Sequence, residues 1–212
     1  MKEFAVTEVV TCPYRYRYQL VTEEGRRAMD VGDAIHFLIL EDLHNKGYEV
    51  EVPVEFRFDY DGEEVVLKGR IDAIKNNTIY EIKSTEFKYY YIRQLLLYRD
   101  LLYVTTGKRY RIGWIFYRKQ GNRVRYKVQP ILDNYNLDYG EYLRYVMTLI
   151  AWYIRKGYPV KLRDSYCIYC PLLNQCKADG EWRYLVMMTL NQWFHDTYVK
   201  CYVRRGCFKE CE

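Results

Sequence analysis

The spacing of apolar and polar positions changes several times along the chain, and each change predicts an element. From Glu24 to Lys46 the positions Ile35, Leu38, Ile39, Asp42 and Leu43 recur at helical spacing, and Gly47 follows as a stop. "EVPVEFRF" then alternates with period two, as a half-buried strand does. "DYDGEE" carries a hairpin turn, "VVLKGRIDAI" a second strand ended by Asp72, "NN" a turn and "TIYEIKS" a third strand, which makes a three-stranded meander. A second helix is predicted over 86–106, closed by Gly107. "YRIGWIFYR" and "NRVRYKVQP" read as a hairpin around "KQGN", and Leu137–Lys156 as a third helix ending before Gly157 and Pro159. "PYRYRYQL" suits a short helix with proline in its first turn. Glu181–Val199 reads as a last helix before the tail "KCYVRRGCFKECE". Helix, three strands, helix, two strands and further helices describe an α/β domain with a central mixed sheet.

Composition narrows this picture modestly. Half of the 212 residues are hydrophobic, enough for one generous domain with a real core. A formal net charge of +5 is compatible with a nucleic-acid partner without requiring one. The 25 tyrosines offer flat faces for bases, and equally serve as filler in half-buried sheets. No stretch has the form of a signal peptide or approaches a membrane span, so a cytoplasmic protein with no membrane partner is expected.

Seven cysteines are an odd number for a disulfide framework, and their clustering favours metal ligation. "CIYCPLLNQC" supplies Cys167, Cys170 and Cys176, one thiolate short of a four-cysteine site. Cys12, alone near the other end, is the natural fourth. Such a set suits zinc or an iron–sulfur cluster. Cys201, Cys207 and Cys211 receive no site.

The most informative stretch is "GRIDAIKNNTIYEIKST". Glu81 and Lys83, two apart on one strand, point the same way, and pairing across the turn brings Asp72 to the same region. Two carboxylates suit magnesium, which keeps open positions for a phosphate oxygen and an attacking water. The plain alternative is a solvated strand face. His36, four residues after Gly32 on the preceding helix, can add an imidazole ligand or be an ordinary histidine. Gln94 and Tyr98 share a helix face after the third strand. Arg123, Arg125 and Lys127 lie on one face of a strand with Tyr126 on the other, a phosphate track or a plain charged face. Arg15 and Arg17 alternate with tyrosines in "YRYRY", a composition suited to stacking on single strands.

In this order and spacing, Gly32/His36, Gly69/Asp72, Glu81/Lys83 and Gln94/Tyr98 resemble the RecB-type branch of the PD-(D/E)xK nucleases, over roughly residues 30–100. The resemblance implies a restriction-endonuclease-like core with a central mixed sheet flanked by helices, plus a cysteine-rich helical C-terminal part. It implies Mg²⁺ or Mn²⁺ held by His36, Asp72, Glu81 and the backbone carbonyl of Ile82. Asp72, Glu81 and Lys83 would be catalytic, with Lys83 assisting the water, and Gln94 and Tyr98 would line the DNA path. The cysteine set is similar to that of the CRISPR-associated RecB-like family called Cas-four. That likeness implies one iron–sulfur cluster on Cys12, Cys167, Cys170 and Cys176, usually 4Fe–4S and otherwise 2Fe–2S.

The implied activity is exonuclease action on single-stranded DNA or DNA ends, trimming them for CRISPR spacer acquisition alongside the spacer-integration proteins. A DNA-repair or viral RecB-like nuclease, and a non-catalytic iron–sulfur DNA-binding scaffold subunit, are the alternatives. Residues 1–212 would form a single nuclease domain, with its core at about 24–130, a cluster-binding part at about 8–20 and 157–180, and a helical tail at 181–212. The chain continues well past Cys176, whereas the family tends to end soon after these cysteines.

Overall fold

The computed structural model describes residues 1–84, 92–120, 123–130, 138–159, 161 and 165–178. The expected helix 181–199 and Cys201, Cys207 and Cys211 lie outside the described residues.

The meander forms as the alternation of its first strand and its two turn signals predict: β2 (Glu49–Tyr60), β3 (Glu63–Lys75) and β4 (Thr78–Lys83). Both connections are two-residue turns, Asp61–Gly62 and Asn76–Asn77, and all four residues have positive φ. Such turns carry the right-handed twist that antiparallel strands need, and Asn, Asp and Gly tolerate the conformation. β3 is the organising strand. β2 runs along one edge of it. The other edge is shared by β1 (Lys2–Ala5), parallel at Val65–Lys68, and β4, antiparallel at Ala73–Lys75. β1 was not predicted, because four residues are too few to show a period.

β4 pairs in parallel with β5 (Arg111–Gln120), and β5 pairs antiparallel with β6 (Arg123–Pro130). A parallel step requires a crossover, which α4 (Ile92–Thr106) supplies. Of residues 92–102 only Gln94 is not buried, so α4 is wrapped nearly all round and its sequence reads as almost continuous apolar.

Strand residues alternate between two cores. On one face α1 (Val6–Val10), α4 and α5 (Glu141–Lys156) pack against Ile79 and Trp114. On the other, Ile39, Leu40 and Leu43 of α3 (Glu23–Asn45) meet Tyr80, Ile82 and Ile115. Leu38, expected on the buried stripe of α3, is instead 56 % exposed. α5 starts at Glu141, with Gly140 at φ 90° as its N-cap, rather than at Leu137, which lies outside the described residues. Asp100 of α4, paired with Arg99, accepts from the Leu143 N–H at 3.2 Å and so satisfies a donor of the first turn of α5.

Two segments distant in sequence come together beside this core. α2 (Pro13–Arg17) forms with proline in its first turn as expected, and it meets a 3₁₀ turn (Ser165–Tyr169) and α6 (Leu173–Ala178).

Candidate active site

The site begins where the β3–β4 ladder stops. Its last pair is Ala73 with Tyr80, so Asp72 and Glu81 stand one position beyond, where the strands part. Asp72 lies inside β3, three residues before Lys75, and not at the strand end that the sequence suggested. Its Oδ2 takes the Ile82 N–H at 2.7 Å, replacing a ladder bond with a side-chain bond.

The other edge of β3 is also disturbed here. Val52 pairs with Ile71 and Val50 with Ala73, leaving Glu51 across from Asp72 at φ 52°. Period two would put Ile71 and Ala73 on one face, yet Ile71 joins the first core and Ala73 the second. A left-handed glutamate within a strand is strained, and such strain gathers at functional positions. The distortion at Glu51 therefore re-aims β3 at Asp72.

α3 brings His36 over the sheet, with Nε2 3.2 Å from Asp72 Oδ2. Lys83 Nζ donates to Glu81 Oε1 at 2.7 Å. Glu81 is 2 % exposed, and its Oε2 is buried with no hydrogen-bond partner among the described residues. Burial pushes the Glu81 carboxyl up to about 7; the Asp72 charge adds to the rise, and Lys83 and His36 only partly oppose it. Burial alone would lower His36, but the Asp72 hydrogen bond and the Asp72 and Glu81 charges outweigh it, and its pKa rises.

The Gln94/Tyr98 pair divides. Tyr98 is 2 % exposed; its hydroxyl donates to the Arg70 carbonyl at 2.9 Å and accepts from the Arg70 N–H at 3.2 Å. It fills the gap between β1 and β4 on the β3 edge and satisfies backbone groups left open there. Opposite Arg70 on β2 stands Pro53, whose missing N–H costs nothing because the Arg70 backbone polar groups face Tyr98. Gly69 is required for this arrangement, since a Cβ there would lie 2.6 Å from Tyr98 Cε1. Burial, reinforced by the Glu81 charge, raises the Tyr98 pKa. Tyr98 is thus a brace behind the carboxylates, while Gln94, hydrogen-bonded to it, is half-buried.

Residues 37–177 match the PD-(D/E)XK nuclease superfamily. The chain belongs to this superfamily. The match takes in Asp72, Glu81, Lys83, Gln94 and Tyr98, so the parted strands belong to a nuclease fold that hydrolyses phosphodiesters. Among solved structures, the crystal structure of SSO0001 is 22 % identical, with a TM-score of 0.53 over 84 % of this chain and 87 % of that one. A candidate exonuclease from Eubacterium rectale is 15 % identical, with a TM-score of 0.40 over 76 % and 66 %. No curated protein matches the chain. No helix among the described residues is long and apolar enough to cross a membrane.

PD-(D/E)XK nucleases typically use Mg²⁺ or Mn²⁺. Among the described residues of this nuclease no group of three or more His, Cys, Asp or Glu side chains stands ready to hold a metal ion. In the carboxylate centre the reason is visible: Asp72 is engaged by His36 and Ile82, and Glu81 by Lys83. The hard oxygen donors and the unpartnered buried Oε2 nevertheless fit a divalent cation.

Cys12, Cys167, Cys170 and Cys176 line one small cavity, together with Arg15, Lys161 and Leu173. None of the four forms a disulfide among the described residues. Short backbone bonds shape the wall: Cys170 N–H to the Cys167 carbonyl at 3.0 Å, and Cys176 N–H to the Leu172 carbonyl at 2.8 Å. The four thiols line one space without being drawn into a ligand group; their donor chemistry is of the kind that suits an iron–sulfur cluster or zinc. The two cations on the wall fall within the expected cluster-binding segments 8–20 and 157–180, where neither was singled out as lining the cysteine site. Arg17 does not join a stacking surface; it pairs with Glu8 at 3.0 Å and lies over the Phe4 and Tyr153 rings. Tyr16 and Tyr18 beside it are 40 % and 54 % exposed.

Proposed function

We propose that this nuclease is a Mg²⁺- or Mn²⁺-dependent exonuclease that acts mainly on single-stranded DNA and trims DNA ends for CRISPR spacer acquisition. The observation that carries the reading is the unpartnered, buried Glu81 Oε2 beside Asp72. Two carboxylates held together away from water are costly unless a cation joins them. His36, Asp72, Glu81 and the Ile82 carbonyl would hold that cation. When bound, it supplies a Lewis acid for the scissile phosphate and acidifies a water.

The chain's own groups do the rest. Lys83, on the same strand face as Glu81, would release Oε1 and orient the attacking water. Its charge would also offset negative charge developing on the phosphate. Tyr98 keeps β3 fixed behind Asp72, and Gln94 offers an amide to the DNA path. Arg118, Arg125 and Lys127, exposed on the β5–β6 hairpin, would follow the phosphate backbone. The exposed rings of Tyr16 and Tyr18 suit unpaired bases.

Cys12, Cys167, Cys170 and Cys176 would hold one iron–sulfur cluster, 4Fe–4S in preference to 2Fe–2S. Their shared cavity supports this. The spacer-integration proteins are the implied partners.

One preparation tests the set. Protein purified without oxygen is expected to absorb in the visible and to contain iron and sulfide in cluster proportion. With Mn²⁺ it should shorten end-labelled linear single strands, act more slowly on duplex, and spare circular single strands. Equal attack on circles would overturn the exonuclease reading. A colourless protein with stoichiometric zinc would overturn the cluster.

A further inference from the structure

α3 is anchored in two places, and His36 lies between them. The C-terminal anchor is Ile39, Leu40 and Leu43, packed on the sheet. Every residue from Glu23 to Val31 is exposed except Gly25. Gly25 sits on the cysteine segment: a Cβ there would lie 2.7 Å from Tyr169 Cβ and 2.9 Å from Val21 Cγ2. The same contact carries a backbone bond, from the Thr22 N–H to the Tyr169 carbonyl at 2.8 Å. Thr22 is also the N-cap of α3, its hydroxyl accepting from the Gly25 N–H at 3.2 Å. Tyr169 stands between Cys167 and Cys170.

We propose that Tyr169 is a positioning residue for His36: through Gly25 and Thr22 the cysteine segment sets the register of α3 and thereby places the imidazole on Asp72. His36 lies eleven residues beyond Gly25, about 16 Å along the helix axis. A helix transmits a displacement of one end over such a length, because its backbone bonds make it a rod. With the first anchor loosened, the first three turns keep no other buried residue, and the next packing contact is Ile35, half-buried against the second core beside His36. His36, on a single 3.2 Å contact with Asp72, would then move. The glycine at position 25 is explained by this close approach. What fills the cysteine cavity would thus be felt at the nuclease centre. This part rests on the proposed metal role of His36.

The test uses full-length protein with its cysteine site loaded, labelled at histidine. His36→Ala assigns the His36 ring resonance among the three histidines. Gly25→Ala wedges the contact, Tyr169→Gly removes the ring, and Tyr169→Phe keeps the Cβ, the ring and the backbone bond. Gly25→Ala and Tyr169→Gly are expected to shift the His36 resonance and weaken Mn²⁺ binding about 10–100-fold, as loss of a ligand-orienting group does. Tyr169→Phe should match the wild type in both. An unmoved His36 resonance in folded Gly25→Ala and Tyr169→Gly would overturn the latch. Should Gly25→Ala fail to fold, the Tyr169 pair decides alone. A resonance that moves while His36→Ala binds Mn²⁺ like the wild type would uphold the latch and overturn the metal role of His36.

Discussion

The carboxylate centre and the cysteine cavity are built in opposite ways. The first is assembled from elements close in sequence, α3 to α4, and each member is placed by sheet register or core packing. Even without a cation, Asp72, Ile82, His36, Glu81 and Lys83 hold one another. The second brings Cys12 to Cys167, Cys170 and Cys176 across nearly the whole described chain, using α2, α6 and one 3₁₀ turn. Elements of five or six residues have little helical stability of their own. The first site is therefore held by its own scaffold, and the second would be a closure that depends on the proposed cluster.

The largest effect should come from breaking the closure. Cys12→Ala is expected to lose bound iron and to lower stability by about 2–4 kcal/mol, the range of a crosslink closing a long loop. Unchanged iron and an unchanged melting curve would refute the comparison. The carboxylate centre should behave in the reverse sense. Glu81 is raised from 4.5 to about 7 in the fold, so its contribution to stability is complete below about pH 4.5 and is lost as pH rises through 7. Without added divalent cation, Glu81→Gln should be more stable than wild type at pH 8 by on the order of 3 kcal/mol, and equal to it near pH 4. Glu141, also raised to about 7 by burial and by Asp138, keeps the same slope in both proteins and cancels in the difference. Denaturant melts across pH measure this, and a wild type that matches Glu81→Gln at pH 8 would show that the carboxylate is not strained.

Much of the carboxylate centre was legible because its chemistry sits on regular elements. The turn signals "DYDGEE" and "NN" bounded the strands "VVLKGRIDAI" and "TIYEIKS", the turn set the register, and register brought Asp72 to Glu81. The distortion at Glu51 was not legible, because glutamate carries no signal for positive φ. Nor was the bracing role of Tyr98, since an i, i+4 pair shows that two residues share a face but not which of them is buried. β1 was too short to register. On the cysteine side, spacing grouped three thiols, and the fourth followed by counting ligands; the Gly25–Tyr169 contact depends on tertiary approach, which no local pattern carries.

Smaller effects sharpen the picture of the brace. Gly69→Ala should cost about 1–3 kcal/mol by overpacking against Tyr98. Tyr98→Phe should cost about the same by leaving the Arg70 N–H and carbonyl unpaired. Both are read by chemical denaturation, and additive losses in the double variant would show that glycine and tyrosine are not coupled. Glu51→Gly should be the mildest change, a gain of about 1 kcal/mol from relieved backbone strain.

The most direct measurement is cleavage of end-labelled single-stranded DNA with Mn²⁺ by wild type, Asp72→Asn and Glu81→Gln, each confirmed folded by its melting curve. Cleavage by the wild type, with loss of at least about a hundredfold in both variants, is the expected result. Cleavage that persists in both would contradict the assignment of the parted strands as the reactive centre.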